Sequence, residues 1–211
     1  MEIYRLVFSP IEVNTYVLAE KSGDCAILDC GCYNESEFSQ LVKFIESKKL
    51  KPALLINTHC HLDHIFGNKF ILEKYNLKTH CSELEESNRG KASEYAMYFG
   101  LSMETPPEPE SYVSHRQVIT LGSTSLLALH VPGHTAGSMA FYSETDGCVF
   151  TGDALFAGSI GRTDLPGGDF QTLIDSIRNN LLSLPVSTVV YSGHGPETTI
   201  EKEIKTNPYL M

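Results

Sequence analysis

The sequence predicts an α/β protein: two packed β-sheets with helices on their outer faces, forming one domain. Three observations lead there. Short apolar, β-rich runs alternate along the chain with segments of helical periodicity. Four of those runs end in histidine or aspartate, and strand ends are where sites assemble in such sheets. At 211 residues the chain is also long enough to bury a substantial core.

Taken in order, Tyr16–Ala19 reads as a strand, and Cys25–Asp29 as a second one after the turn residues Ser22, Gly23 and Asp24. A helix follows, with Asn34 and Glu37 spaced as a capping box and Phe38, Leu41, Val42 and Ile45 on one face. Ala53–Asn57 is the next strand, and Ile65–Tyr75 is predicted helical. Ser82–Phe99 reads as a further helix, with Ser82 and Glu85 as a second capping box and Ala92, Tyr95, Ala96 and Phe99 on its face. The prolines in Met103–Pro109 exclude helix there and predict an exposed loop. Val118–Leu121, Ser125–Val131 and Cys148–Thr151 are strands. Asp169 caps an amphipathic helix that turns Phe170, Leu173, Ile174, Ile177 and Leu181 inward, and Thr188–Tyr191 is the last strand.

Composition narrows the function classes. Hydrophobic residues at 42% and charged residues at 20% exclude a disordered chain. Sixteen Lys and Arg against 26 Asp and Glu leave a formal charge of −10, the wrong sign for a nucleic-acid backbone. No run reaches the ~18 apolar residues of a spanning helix. The first twenty residues lack the basic-then-apolar pattern of a secretory signal. The six cysteines, Cys25, Cys30, Cys32, Cys60, Cys81 and Cys148, form no CxxC pair, so reduced, packed thiols in a cytoplasmic protein are expected.

Chemistry concentrates where the strands end. Ala53–Thr58 runs into His59-Cys60-His61-Leu62-Asp63-His64; Ser125–Val131 into Pro132-Gly133-His134; Cys148–Thr151 into Gly152-Asp153; and Thr188–Tyr191 into Ser192-Gly193-His194-Gly195. Three histidines and an aspartate within six residues have no packing rationale, whereas imidazole and carboxylate together suit Zn, Fe or Mn. Seven donors (His59, His61, Asp63, His64, His134, Asp153 and His194) are too many for one tetrahedral ion. They fit two ions that share a carboxylate. Period-two alternation points Cys60 away from His59 and His61, so it is expected to be a packed thiol. His80, His115 and His130 lack such context and are assigned no role.

The series Thr58-His59-Cys60-His61-Leu62-Asp63-His64, followed by His134, Asp153 and His194, resembles the motifs of metallo-β-lactamase-fold hydrolases over nearly the whole chain. Gly158-Ser159-Ile160-Gly161-Arg162-Thr163-Asp164 is similar to the branch holding glyoxalase II and the persulfide dioxygenases. Ser192-Gly193-His194-Gly195-Pro196 resembles the short bacterial glyoxalase II-like proteins. The resemblance implies an αββα sandwich. It implies one divalent ion on His59, His61 and His134, a second on Asp63, His64 and His194, and Asp153 between them, with zinc foremost and iron or manganese as alternatives. A shared hydroxide would attack a thioester carbonyl, with Asp63 and Asp153 in catalytic roles. Arg162 would grip a substrate carboxylate or else form an ion pair with Asp164 or Asp169. Asp29-Cys30-Gly31 stands where relatives often carry Asp-Pro-Gly, so Asp29 either supports the ligand histidines or caps a turn.

The chain stops at Met211, soon after His194, and no helical glutathione-binding extension is expected; residues 1–211 are read as one domain. The partner expected is a small thioester or ester, without nucleic acid or membrane. Two rivals keep the fold: a mononuclear iron persulfide dioxygenase using His59, His134 and Asp153, and a lactonase. A non-enzymatic metal-binding domain is disfavoured, because clustered polar ligands cost stability without a metal or a function.

Overall fold

The computed structural model describes residues 1–211 and divides into two compact units, Met1–Tyr112 with Leu121–Thr124, and Val113–Thr120 with Ser125–Met211. In the first unit β1 (Glu2–Phe8), β2 (Val13–Ala19) and β3 (Asp24–Leu28) form an antiparallel meander. Helix α1 (Glu35–Ser47) crosses to β4 (Lys51–Ile56), which runs parallel to β3. Two short helices, α2 (Leu62–Ile65) and α3 (Asn68–Tyr75), lead to β5 (Thr79–Cys81). Helix α4 (Glu86–Tyr98) leads to β6 (Ser111–Tyr112). The six strands lie in sequence order in one mixed sheet.

The second six-stranded sheet has the order β14-β13-β10-β9-β8-β7, with β7 Val118–Leu121, β8 Thr124–His130, β9 Met139–Ser143, β10 Cys148–Gly152, β13 Val189–Ser192 and β14 Thr198–Thr199. A small hairpin, β11 (Leu155–Phe156) with β12 (Ser159–Ile160), follows β10. Helix α5 (Phe170–Ser176) widens into a π-helical turn at Ile177–Leu181, and α6 (Ile200–Thr206) comes last.

Each sheet buries one helical face. Phe38, Leu41 and Ile45 of α1 pack with Val17, Ile27, Leu55 and Ile71. Leu173, Ile174, Ile177 and Leu181 pack with Leu129, Val131, Val149 and Val190. These are the faces expected from the 3.6-residue period, except that Phe170, in the first turn of α5, lies half exposed, and in α4 only Ala92 and Ala96 of the expected face are buried while Phe99 is exposed. Asn34 caps α1 by accepting from the Glu37 N–H at 3.1 Å, and Asp169 caps α5 by accepting from the Thr172 N–H at 2.7 Å.

Several expectations shift. Strands β1 and β9 escaped the sequence reading: β1 is only partly buried and carries apolar Val7 on its exposed side, and β9 is buried along its whole length, so residue type alternates cleanly in neither. The helix expected over Ile65–Tyr75 is broken, because Gly67 donates its N–H to the Cys30 carbonyl at 2.8 Å and the chain re-enters helix only at Asn68. The two capping boxes are half-boxes. Glu37 accepts from the Tyr33 N–H at 2.7 Å and from the Ser9 N–H, while Glu85 turns inward. Ser82 caps a 3-10 turn at Glu83–Glu85, and α4 begins only at Glu86. The 103–109 segment is irregular as expected, but Pro106 is buried and its carbonyl accepts from Arg89 Nη1 at 3.1 Å.

Candidate metal centre

The polar residues at the strand ends form two half-sites, one in each unit. In the first, β4 ends at Ile56 and the chain turns through Asn57 and Thr58 into the His59–His64 segment, which α2 completes. The rings of His59 and His61 lie 4.8 Å apart, those of His59 and His64 4.0 Å apart, and Asp63 Oδ2 lies 3.6 Å from His64 Nε2.

One buried carboxylate organises this loop. Asp29 follows β3 in the left-handed region at φ +53°, a conformation aspartate tolerates better than most residues. Its Oδ1 accepts from the Thr58 N–H at 2.8 Å. Its Oδ2 accepts from the Thr58 hydroxyl at 2.6 Å and from His64 Nδ1 at 2.9 Å. With its hydrogen on Asp29, the Thr58 Oγ1 accepts from His59 Nδ1 at 3.1 Å. Both imidazoles therefore carry their proton on Nδ1 and present the Nε2 lone pair, the tautomer a metal needs. Asp29 thus supports the histidines directly rather than serving only as a turn cap.

The loop has two further supports that the sequence reading missed. Asn57 donates from Nδ2 to the His64 carbonyl at 2.9 Å, and its Oδ1 accepts from Asn68 and Thr79. Fully buried Glu85 accepts the Cys60 N–H at 2.8 Å, between His59 and His61, and Asn88 Nδ2 at 2.9 Å. The available signal was a polar residue on a helical segment otherwise lacking an apolar stripe. Replacing Glu85 by leucine leaves the Cys60 amide without its acceptor and should cost about 1–3 kcal/mol, whereas Glu85→Gln retains an amide oxygen and should cost less than about 1 kcal/mol. Urea unfolding of the two variants checks this; equal losses would contradict it. The Cys60 thiol sits in an apolar cluster with Ile65, Cys81 and Ala92. A hydrogen bond with Cys81, together with burial, holds its titration well above the usual thiol range, so it stays protonated as a packed thiol.

In the second unit β8, β10 and β13 run in the same direction, with antiparallel β9 between β8 and β10, and their C-terminal ends on one edge of the sheet lead into His134, Asp153 and His194. Gly133 makes the turn at φ +122°, and a Cβ there would fall 2.2 Å from the Leu173 backbone nitrogen. Gly161 admits Asp153 and His134 at close range: its Cβ would meet the Asp153 carbonyl at 1.9 Å and His134 Nδ1 at 3.0 Å. Asp153 Oδ2 stands 3.7 Å from His134 Nε2 and 3.6 Å from His194 Nε2. His134 Nδ1 donates to the Arg162 carbonyl at 2.8 Å, so its Nε2 again presents the lone pair.

These separations test whether the residues suit a metal. A hydrogen bond would draw nitrogen and oxygen to about 2.7–2.9 Å. Two donors on one tetrahedral ion, each at about 2.0–2.2 Å, sit roughly 3.4 Å apart. Distances of 3.6–3.7 Å at three His–Asp pairs match shared coordination, and the donor types suit zinc, iron or manganese. All seven predicted residues are candidate ligands by type and burial.

The remaining histidines have other duties. His80 bonds Ser111 Oγ, His130 Nε2 bonds the Ala136 carbonyl, and His115 Nδ1 accepts from the His130 N–H. Arg162 holds Asp164 in a two-pronged pair at 2.8 and 2.7 Å, and the guanidinium lowers the Asp164 carboxyl to about 2.

Residues 9–194 match the family model of the metallo-beta-lactamase superfamily. The chain belongs to that superfamily. It is 35% identical over 211 residues to the "Probable metallo-hydrolase YqgX" of Bacillus subtilis (strain 168), covering 100% of this chain and 98% of the relative. It is 33% identical over 212 residues to the "Hydroxyacylglutathione hydrolase GloC" of Haemophilus influenzae, again covering 100% and 98%. Among solved structures it resembles the BLEG-1 B3 metallo-beta-lactamase with a TM-score of 0.92, 31% identity and 100% of both chains covered. It resembles TTHA1623 in a di-iron-bound form with a TM-score of 0.88 and 34% identity, covering 98% of this chain and 100% of that one. The metallo-β-lactamase fold expected from the motif series is therefore the fold of this protein, and the superfamily makes it a metal-dependent hydrolase. No helix is long and apolar enough to cross a membrane.

Proposed function

We propose that this metallo-β-lactamase superfamily member is a dinuclear thioesterase of the glyoxalase II-like kind. Residues 1–211 act as one catalytic domain on a small thioester or ester, not on nucleic acid or a membrane. The observation that supports this reading most is Asp153, whose Oδ2 stands nearly equidistant from His134 and His194. A carboxylate oxygen between two imidazoles would suit a ligand shared by two ions. On this reading His59, His61 and His134 take one ion, Asp63, His64 and His194 take the other, and Asp153 belongs to both.

Bound divalent cations, zinc foremost with iron or manganese as alternatives, supply Lewis acidity and lower the pKa of water towards about 7. The protein's own part is orientation. Asp29 and Thr58 fix the His59 and His64 rings and the Arg162 carbonyl fixes His134, so each ring presents Nε2 as the atom that would bind a cation. Asp63 would orient the attacking water, and Asp153 would be a ligand common to both ions. A thioester suits such a site because thiolate leaves readily and is a soft zinc ligand. Arg162 takes a substrate carboxylate by exchanging its present partner Asp164. Six buried, unpaired thiols suit a reducing cytoplasm.

The test is metal content of the purified protein together with turnover of a thioester panel on glutathione and non-glutathione thiols. Two metals per chain and hydroxide-dependent thioester cleavage are the expected results. One iron per chain with oxygen uptake would overturn the reading in favour of a dioxygenase.

A further inference from the structure

A cavity of about 500 Å³ in the first unit is not used by any role assigned so far. Ile65 and Phe66 form one wall, directly following Asp63 and His64 on the ligand loop. Tyr33 and Phe66 meet edge to face at 4.9 Å and 63°, making an aromatic corner. Phe70 is fixed by stacking on Phe38 at 5.0 Å, and Tyr33 is fixed by the Ser102 N–H, which donates to its hydroxyl at 3.2 Å. The corner is thus rigid before any ligand arrives.

The charge lining this cavity has a definite sign. Glu35, Glu73 and Glu104 line it together with a single cation, Lys69, which is already engaged by Glu104 and lies 3.8 Å from Glu73. Three carboxylates against one ammonium leave two negative charges beside the aromatic rings of Tyr33, Phe66 and Phe70. A carboxylate-bearing ligand is repelled there. An organic cation gains both the field of the carboxylates and the quadrupoles of the rings.

We propose that this cavity binds an alkylammonium group and that, given the thioesterase reading on which this rests, the substrate is a thioester bearing such a group. Ile65 and Phe66 follow Asp63 and His64 directly in the chain, which sets the cation pocket beside the ligand loop, where it would act as a specificity pocket. Tyr33 and Phe66 contact the cation, and Glu35 and Glu73 set its sign.

The experiment has two arms. In the first, benzyltrimethylammonium is titrated into the metal-loaded protein and followed by calorimetry and by the aromatic NMR resonances of Tyr33 and Phe66. Saturable binding that shifts those resonances is expected, weakened about tenfold or more in Glu35→Gln/Glu73→Gln, as expected for losing two carboxylates beside a cation–π site. The pair Glu94→Gln/Glu144→Gln, outside the cavity, removes the same net charge and should leave affinity within about twofold. In the second, kcat/KM for acetylthiocholine is compared with its uncharged isostere S-(3,3-dimethylbutyl) thioacetate, each divided by its uncatalysed hydroxide rate. A preference for the cation of about tenfold is expected, collapsing towards unity in Glu35→Gln/Glu73→Gln. Absence of saturable binding, or affinity equal in wild type and the Glu35/Glu73 variant, overturns the pocket. Failure to hydrolyse any thioester overturns the thioesterase reading instead, and the binding arm then still decides whether the cavity takes a cation.

Discussion

Asp153→Ala should reduce bound metal from two ions per chain to one or none and cut thioester hydrolysis by about 10³-fold, the scale set by removing a single preorganised electrostatic group. The reason is positional. One oxygen of Asp153 lies 3.6–3.7 Å from both His134 and His194, so no other side chain of that half-site stands between two imidazoles. On the proposed reading its removal takes away a ligand common to both ions, and it also removes the carboxylate beside both rings. Asp153→Asn keeps the shape but loses the charge, and should fall between wild type and alanine in metal content. Metal analysis with steady-state kinetics checks both variants. Full metal content in the alanine variant would show that Asp153 bridges nothing.

The second large effect belongs to a residue that touches no ion. Asp29→Ala should lower metal affinity by about 10–100-fold, the usual cost of losing a partner that orients a ligand. It should also destabilise the fold by about 3 kcal/mol or more, because three buried donors lose their acceptor at once, with penalties of about 1–3 kcal/mol each. Those donors are the Thr58 amide, the Thr58 hydroxyl and His64 Nδ1. The hydroxyl is also the acceptor for His59, so two ligand rings lose their orientation through one substitution. Competition with a chelator reads the affinity, and urea unfolding of the metal-free protein reads the stability. A variant that lost stability but kept wild-type metal affinity would confine Asp29 to the turn.

Reading this chain from its residues works best where chemistry is local. His59-x-His61-x-Asp63-His64 is conspicuous because several costly polar residues sit together without an apolar stripe to justify them. Gly133, Gly152 and Gly193 advertise sharp turns just before the remaining donors. The helices α1 and α5 are equally legible, since Phe38, Leu41 and Ile45, or Leu173, Ile174 and Ile177, repeat at the spacing of one buried face. Strands β1 and β9 were not, because β1 places apolar Val7 on its exposed side and β9 is buried throughout, and either condition hides the polar–apolar alternation that marks a half-buried strand.

The sequence by itself therefore determined the candidate donors, most of the helical faces and the family. Each rests on residue type and spacing, which survive without coordinates. Tertiary structure decided which groups hold the donors. Asp29 lies 35 residues before His64 and Glu85 lies 25 after Cys60, yet each makes a hydrogen bond of 2.9 Å or less to that partner. Tertiary structure likewise turned Glu85 from a helix cap into a buried acceptor and closed Asp164 onto Arg162. A carboxylate has the same local signature whether it caps a turn, pairs with a guanidinium or fixes an imidazole. Only its neighbours in space settle which hydrogen bond it makes, because burial makes every unsatisfied donor costly and assigns each acceptor to the donor that has no water.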